Sequence, residues 1–411
     1  GGGVGDVVNV TANWVNLTGF TVTNSGPNWY TLWGDSGIML YSVDNCTISD
    51  VNSTGNQNGI FLVYSENITV IDSRVFSNSE TGIRLHESSF NSIIDNWISN
   101  HLDGISVWGS GNTKINIANN NVTGNQDGIV MFYSTYSTVA NNTISSNAIT
   151  GILLMYANNN TLINNSISSS LRGFDTSGAS KDNSLDKCIL GGNGYGLRIN
   201  FASNIIVRNC TIFGSTNDDM SLNRTSHILA INTTFDPVSV LFEDMNSTLT
   251  VQWYLHVYVN DTFGSPFAGA YVNVTDNASA QSNYTTDAGG MVWWQVVTEY
   301  VQNSTTLTHL TPHNVSAEAP GFDTNYSVEW LDSSRTVYLT LVDSTPPTTN
   351  LTIGLPQYGA APVYVSNGTA FTMMAVDGGT GVAGIWYSLD NVNSVSYTHL
   401  RAHETSLHLV C

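Results

Sequence analysis

The chain has 411 residues, of which 31 are Asp or Glu and only 11 are Lys or Arg, so its formal net charge is −20. So few cations argue against binding to nucleic acid or to anionic membranes. The polar residues are mostly Asn, Ser and Thr, a composition that suits an extracellular or cell-surface protein, with the periplasm as the alternative location. Four Cys do not make a disulfide framework in a chain of this length.

A repeat built on Gly-Ile-x-Leu fills the first 240 residues. Successive anchors lie 22 to 24 residues apart, at Gly37, Gly59, Gly82, Gly104, Gly128, Gly151, Gly173, Gly196 and, closing the series, Asp219. Residues one and three after each anchor are apolar, an alternation that turns one face of a short strand inward. Two further short strands follow in each repeat. This pattern predicts an all-β protein that begins with a right-handed parallel β-helix over residues 1–243, with Ile60, Ile83, Ile105, Ile129 and Ile152 on its inner face.

A column of Asn and Asp accompanies the repeat, three residues before the last apolar position of each coil. Its members are Asp72, Asp95, Asn119, Asn141, Asn164, Asp186 and Asn209. At the spacing of adjacent strands, about 4.8 Å, such side chains can hydrogen-bond along the column and satisfy the backbone of the turns. We expect this ladder to be structural.

The coils resemble those of known families. Runs such as Asn141-Asn142-Thr143-Ile144 and Gly151-Ile152-Leu153-Leu154 are similar to the parallel β-helix repeats of the NosD-like and carbohydrate-binding-and-sugar-hydrolase families, over about residues 14–243. The resemblance implies the fold. It does not select a function, because such helices serve lyases, hydrolases, epimerases, adhesins and copper-maturation proteins.

Other patterns follow the repeat. Residues 264–272 and 286–289 resemble carboxypeptidase-regulatory-like modules, which implies a β-sandwich over 244–343. Residues 371–377 and 381–383 resemble Ig-like repeats of surface proteins, which implies a truncated Ig-like module over 344–394. Residues 395–405 resemble the translation of a sequencing adapter, so we expect 395–411 to form no domain and to pack on nothing. The fragment contains no apolar run that suggests a membrane span, and any targeting segment is expected upstream.

The best ionisable cluster lies in the middle of the repeat. Asp103 and Asp127 precede their anchors in adjacent coils, so they should stack at one strand spacing, with Arg84 and His86 beside them. Two carboxyl groups flanking one bond are what glycoside hydrolysis requires. An Asp beside a turn glycine also serves to hydrogen-bond the backbone, so the catalytic assignment stays open and a non-enzymatic protein is favoured. His101 falls near the same cluster. No metal site is predicted. The sequence gives no support for the calcium site that a polysaccharide lyase would need.

Several outward positions are apolar where polar residues are expected. They include Phe61, Trp108 and Phe132, with Tyr133 beside them. A contiguous apolar strip on a rod implies either a ligand or a cover. The insertion that carries Trp29 and Trp33 lies at one end of the strip and is a candidate for either role.

Three functions remain open. The first is a non-enzymatic surface protein that binds glycans or cell-envelope partners. The second is a polysaccharide lyase, glycoside hydrolase or epimerase acting on an acidic polysaccharide. The third is NosD-like metal maturation, which needs converging Cys, Met or His. Cys188 and Cys210 fall in successive coils, either as a disulfide or as two packed thiols.

Overall fold

The computed structural model describes residues 5–26, 35–355, 357–358, 364–365, 370–377, 385–388, 394–397 and 404–410. Every regular element in these residues is a β-strand. No helix in the described part of the chain has the length and apolarity that a membrane span requires. The chain divides into two compact units, one containing residues 1–253 and 298–309, the other 254–297 and 310–411.

The first unit is a parallel β-solenoid in which each coil adds one strand to each of three sheets. The first sheet contains, in order, Val8–Val10, Ser36–Tyr41, Asn58–Val63, Thr81–His86, Asp103–Trp108, Asp127–Phe132, Thr150–Met155, Arg172–Ser177, Tyr195–Asn200, Asp218–Asn223 and Val240–Phe242. The second contains Asn16–Thr18, Thr47–Ser49, Thr69–Ile71, Ser92–Ile94, Asn116–Ala118, Thr138–Ala140, Thr161–Ile163, Ser184–Asp186, Ile205–Arg208, His227–Ile231 and the start of Thr248–Asp261. The third contains Thr21–Thr23, Asn52–Thr54, Arg74–Phe76, Trp97–Ser99, Asn121–Thr123, Thr143–Ser145, Ser166–Ser168, Ile189–Gly191 and Thr211–Phe213. The predicted parallel β-helix is confirmed.

The apolar core runs along the inside of the coils. The predicted inner residues of the first sheet, Ile60, Ile83, Ile105, Ile129 and Ile152, are consecutive register partners. All five are fully buried. Because one coil cannot enclose these side chains alone, each coil depends on its neighbours for the burial that stabilises it.

The anchor glycines are required by close approach between coils. A Cβ at any of Gly37 to Gly196 in the series would lie 2.5 to 2.7 Å from the carbonyl oxygen of the next anchor. No side chain fits in that space. At Asp219, where the series ends, a side chain is present and its carboxylate accepts a hydrogen bond from the Asp236 N–H at 2.9 Å.

The buried ladder lies one residue after the column predicted from the sequence. All of the predicted residues except Asp186 occupy turn positions with a left-handed backbone, such as Asn141 at φ 56°. The next residue turns inward, so that the Oδ1 of Asn142 accepts from the Asn120 N–H at 2.8 Å and the Oδ1 of Asn165 accepts from the Asn142 N–H at 3.0 Å. Both positions favour Asn, the outer for its tolerance of positive φ and the inner for its amide. The pattern alone therefore could not tell them apart.

Two cysteines continue this inner ladder. The Cys188 N–H donates to the Cys210 Sγ at 3.3 Å, and both side chains are buried free thiols rather than a disulfide. In this coil Lys187 takes the left-handed position, at φ 55°, instead of the predicted Asp186. Leu190 consequently points into the core, and Ile189, which the sequence pattern placed inside, is 49% exposed.

Antiparallel sheets follow the solenoid. A four-stranded sheet contains Gln281–Thr285, Tyr271–Thr275, His313–Glu318 and Asn325–Glu329. Residues 255–261 pair in parallel with Arg335–Asp343, which also pairs antiparallel with Phe322–Asp323. The strand Met291–Gln302 pairs antiparallel at its end with Leu307–His309. The remaining strands are Thr348–Ile353, Gln357–Tyr358, Tyr364–Val365, Ala370–Val376, Ile385–Ser388, Ser394–Tyr397 and Glu404–Val410. The domain boundaries predicted from the sequence stay predictions.

The expectation that residues 395–411 pack on nothing is wrong for part of that segment. Glu404–Val410 pairs antiparallel with Ala370–Val376, and Ser394–Tyr397 pairs with Ile385–Ser388. Leu407, Leu409 and Val410 give the segment a high strand propensity, and an open sheet edge offers unpaired backbone groups to any such strand.

The inner ladder predicts a sharp difference between neighbouring asparagines. Asn142→Ala removes the acceptor of the Asn120 N–H and the donor to the Ile117 carbonyl, both buried. We expect a loss of at least about 2 kcal/mol in the free energy of unfolding, since each of the two buried unpaired groups costs about 1 to 3 kcal/mol. Asn141→Gly, which keeps the left-handed turn, should cost less than about 1 kcal/mol. Urea unfolding followed by circular dichroism measures both, and equal losses would contradict the assignment.

Candidate functional site

The candidate site lies on the outward surface of the first sheet, between the strands Thr81–His86 and Tyr195–Asn200. We call this surface the lateral face. Alternation along each strand points outward the residues two and four after the anchor. The residue before the anchor departs from this alternation and is partly exposed at Asp103, Asp127 and Arg172. Because the strands are in register, each of these positions forms a column whose members lie about 4.8 Å apart.

Four aromatic side chains form a stacked cluster on the lateral face. The rings of Trp108 and Phe132 stack with centroids 4.6 Å apart and an interplanar angle of 7°. Tyr133 meets Phe132 edge to face at 4.5 Å, and Tyr156 stacks on Tyr133 at 5.0 Å. Trp108, Tyr133 and Tyr156 are each more than 40% exposed. We call these four residues the aromatic platform. It is fixed before any ligand arrives, because each ring packs against another.

Tyr133 and Tyr156 are held in an unusual backbone conformation. Both have φ of 53°, in the left-handed region that bulky residues rarely occupy. Tyr64 shares this conformation at the same offset of five residues from its anchor, and its ring contacts Tyr41 and His86. Tyr156 was not predicted as a site residue, although its offset from Gly151 equals that of Tyr133 from Gly128. That shared offset is the signal that the sequence offered.

Part of the predicted apolar strip is not at the surface. Phe61 is fully buried and forms a cluster with Met39 and Val63, so Phe61 is not an exposed binding residue. Its outward column position was read correctly, but the sequence pattern reports only the direction of a side chain and not what covers it. Trp29 and Trp33 lie outside the described residues.

Asp103 and Asp127 are brought together as predicted. They are register partners on adjacent strands. Burial raises the pKa of Asp103 to about 6, and the neighbouring Asp127 adds to the rise, while a hydrogen bond from Ser106 and the Arg84 charge oppose it. Burial also raises the pKa of Asp127, against hydrogen bonds from Thr150. Among the described residues Asp127 Oδ1 is buried without a hydrogen-bond partner.

Of the predicted basic residues of the cluster, Arg84 and His86 belong to the lateral face and His101 lies in the core. The Arg84 guanidinium lies 4.8 Å from the centroid of the Phe61 ring, and burial lowers its pKa. His86 lies in register with Trp108, and its pKa is lowered by burial, so the imidazole is neutral at pH 7. His101 is a buried member of an inner ladder, where its Nδ1 accepts from the Asn78 N–H at 3.2 Å. It is therefore not part of the site.

A second charged group on the lateral face was missed by the sequence analysis. Asp175 Oδ2 accepts hydrogen bonds from Arg172 at 3.2 Å and from Arg198 at 3.3 Å. Arg172 stands in the column of Asp103 and Asp127, and Asp175 and Arg198 stand in the column of Arg84. The three residues belong to two different coils, so only the register reveals that they meet.

Comparison with known proteins gives the following relationships. Residues 16–183 match the family described as periplasmic copper-binding protein (NosD). A mutant of the periplasmic alginate epimerase AlgG is 13% identical, with a TM-score of 0.45 over 55% of this chain and 67% of that one. The A-module of the Azotobacter vinelandii mannuronan C-5 epimerase AlgE4 is 16% identical, with a TM-score of 0.42 over 60% and 79%. DFA-IIIase from Arthrobacter chlorophenolicus A6 is 12% identical, with a TM-score of 0.42 over 56% and 65%. Identities this low concern the fold alone.

No curated protein sequence matches this chain.

The soft donors of the solenoid do not fit the copper that the family description names. Cys188 and Cys210 are enclosed in the core, where their sulfurs bond the backbone. Met39 packs against Phe61 and Val63. Within the described residues no group of three or more His, Cys, Asp or Glu is placed to hold a metal ion.

The raised pKa of Asp103 leads to a pH-dependent stability difference. The unfolded group titrates near 3.8 and the folded group near 6. Ionised Asp103 therefore destabilises the fold by an amount that is absent below pH 3.8 and complete above about pH 6, about 3 kcal/mol in all. We expect Asp103→Asn to raise the free energy of unfolding by up to that amount at pH 7.5 and to leave it unchanged at pH 3.5.

Urea unfolding at the two pH values tests this expectation. Asp95→Asn, at an exposed turn position, is the control and should change stability by less than about 0.5 kcal/mol. A gain from Asp103→Asn that is larger at pH 3.5 than at pH 7.5 would reverse the sign and contradict the assignment.

Proposed function

We propose that the protein is an extracellular or cell-surface β-helix protein whose lateral face binds a polysaccharide. The aromatic platform carries this proposal. Sugar rings and aromatic rings both offer flat apolar faces, and burying one such side chain contributes about 1.5 to 3 kcal/mol. Trp108 and Phe132 stack face to face across neighbouring coils, so the row of rings runs along the solenoid as a surface of ring edges, with the outer face of Trp108 at one end for a sugar ring. A chain-like ligand fits such a surface better than a compact one.

Polar groups on the strands of the platform, and on the strand before them, supply directional contacts. Asp103 and Asp127 lie on the strands that end in Trp108 and Phe132. His86 is the register partner of Trp108 on the preceding strand. Carboxylates accept hydrogen bonds from hydroxyl groups, and a neutral imidazole both accepts from them and donates to them, so these side chains match the hydroxyl groups of a sugar. A site of this kind combines stacking with directional contacts.

The rest of the chain is consistent with display outside the cytoplasm. The uncharged polar composition suits an exported protein, and the matching family is described as periplasmic, which keeps the periplasm as the alternative location. The antiparallel sheets after the solenoid fit the proposed carboxypeptidase-regulatory-like sandwich and truncated Ig-like module. In this proposal they are non-catalytic spacers that present the solenoid. A cell-envelope protein is the alternative partner for the platform.

A second candidate function is catalysis on an acidic polysaccharide, as a lyase, hydrolase or epimerase. The observation in its favour is the Asp103 and Asp127 pair. With a pKa of about 6, Asp103 is partly protonated near neutral pH, so it can give or take a proton. Arg84 is close enough to affect the charge of Asp103 and could stabilise a developing negative charge.

Substitution of the platform tests glycan binding. We expect Trp108→Ala to weaken binding at least tenfold in a glycan array followed by titration calorimetry, because one face of the bound sugar loses its stacking partner. Trp97→Ala, on the third sheet, is the matched control and should bind as the unaltered protein does. Both variants should keep the circular dichroism spectrum of the solenoid. Equal affinities of the two variants would refute the binding site.

Product analysis tests the catalytic candidate. Acidic polysaccharides would be incubated with the protein and assayed for new reducing ends, unsaturated products and C-5 epimerisation. If Asp103 acts as a general acid, we expect the rate to fall as pH rises through about 6, and Asp103→Asn to lower it at least a hundredfold. Turnover that survives Asp103→Asn would exclude this mechanism. A complete lack of product with a glycan that binds would leave binding as the function.

A further inference from the structure

Two arginines on the lateral face share one carboxylate. Arg172 and Arg198 both donate to Asp175 Oδ2, at 3.2 and 3.3 Å. The side chains of Arg172 and Arg198 are 31% and 26% exposed, whereas that of Asp175 is 4% exposed. The carboxylate therefore lies beneath two guanidinium groups that reach the surface. The group carries a net charge of +1 in a chain whose net charge is −20.

This arrangement is poorly suited to stabilising the fold. Burial raises the pKa of Asp175 even though both arginines oppose the rise. Asp175 Oδ1 is buried and finds no hydrogen-bond partner among the described residues. Removing a carboxylate from water costs more than one shared ion pair returns, and an unpaired buried oxygen adds to that cost. A neighbouring coil fills the same column with Leu153, which fits there without any charge.

The effect of Asp175 is instead to hold two guanidinium groups in fixed positions. Each guanidinium has five N–H donors in a planar fork. Within the described part of the chain, Asp175 is the one hydrogen-bond partner of each. Most of their donors are consequently free to meet an anion at the surface. Planar forks of this kind match the geometry of a carboxylate, which they bind through two parallel hydrogen bonds.

The two arginines lie on the same sheet as the aromatic platform, in columns nearer the start of its strands. Arg172 begins the strand Arg172–Ser177, and this strand is two steps along the sheet from the strand that carries Phe132, or about 10 Å. Arg198 lies one strand further. The column of Phe132 continues through Met155 to Ser177, so a ligand that passes from the platform to the arginines crosses the strands obliquely, toward the start of Arg172–Ser177. The whole path lies on one sheet.

We propose that Arg172, Asp175 and Arg198 form an anion subsite that selects polysaccharides containing uronic acid, with a sugar carboxylate bound by the two guanidinium groups. This inference rests on the proposed function, because it extends the glycan path from the aromatic platform. It adds the chemical class of the ligand. Neutral glycans use the platform alone, whereas acidic glycans use the platform and the subsite.

The experiment compares matched ligands on the unaltered protein. Hexamers of galacturonate, mannuronate, guluronate and a glucuronate-containing polymer are titrated calorimetrically beside their carboxyl-reduced counterparts, which keep the ring and the linkage but lose the charge. We expect at least one acidic hexamer to bind at least tenfold more tightly than its reduced form. Raising the salt concentration should weaken only the acidic ligand, since partly exposed charges are screened.

Variants then assign the difference to the subsite. Arg172→Gln and Arg198→Gln should each reduce the preference for the acidic hexamer at least fivefold and leave the affinity for the reduced hexamer within twofold. Arg208→Gln is the matched control, because Arg208 is an exposed arginine on the second sheet of the same solenoid. Trp108→Ala should weaken both ligands equally. Thermal melting of each variant checks that the solenoid is intact.

The outcomes separate this inference from the proposed function. Equal binding of acidic and reduced hexamers, with loss in Trp108→Ala, overturns the subsite and leaves glycan binding in place. A preference that survives both arginine substitutions also overturns it. Tighter binding of sulfated hexamers through the same arginines overturns the carboxylate assignment. If no glycan binds at all, both the subsite and the proposed function are wrong.

Discussion

Hydrogen bonding between successive coils is the interaction on which this molecule depends. At the turns the backbone N–H groups point along the axis, where most of them, such as that of Asn141, bond a backbone carbonyl of the next coil. At the inner ladder position the acceptor is instead a side chain of the next coil. Asn120, Asn142 and Asn165 provide that acceptor in one column, at 2.8 to 3.0 Å. Each amide also donates to a buried carbonyl, as Asn142 does to Ile117. Such groups are costly when unpaired, so the column both stabilises the coils and fixes their register.

Fixed register turns every outward position into a row of neighbours. This constraint explains why Asp103 and Asp127 lie side by side and why Trp108 stacks on Phe132. A surface made in this way repeats at the spacing of the strands, about 4.8 Å, along one direction. Polymers repeat along one direction as well. The shape of the site thus follows from the same hydrogen bonds that hold the core.

Much of this could be predicted from the sequence. The glycine interval determined the coils, because a Cβ at those positions would meet the next carbonyl, and the inward isoleucines followed by alternation. The platform residues Trp108, Phe132 and Tyr133 were identified from their offsets. The predictions that failed concern features that depend on more than the direction in which a side chain points. The inner ladder was placed one residue early because Asn suits both positions of the turn. His101 was grouped with the ionisable cluster of Asp103, although it takes the place of an Asn in the core.

Other features depended on contacts between coils. Phe61 has an outward offset yet is fully buried. Asp175 and its two arginines meet across coils, so no local sequence motif predicts their contact. The C-terminal segment that resembles an adapter pairs with Ala370–Val376 because strand propensity and an open edge suffice for pairing. Sequence periodicity therefore predicts which residues share a column, but it does not predict which of their side chains are buried by other residues.

The central question is whether the lateral face is the surface that a glycan covers. Hydroxyl-radical footprinting of the protein, with and without an acidic hexasaccharide, measures this directly because it reports the solvent exposure of individual side chains. The account predicts protection of Trp108, Tyr133 and Tyr156, while Trp97 on the third sheet and the exposed Trp293 and Trp294 remain as reactive as before. Protection of Trp97 or of Trp293 and Trp294, with the aromatic platform unchanged, would contradict it.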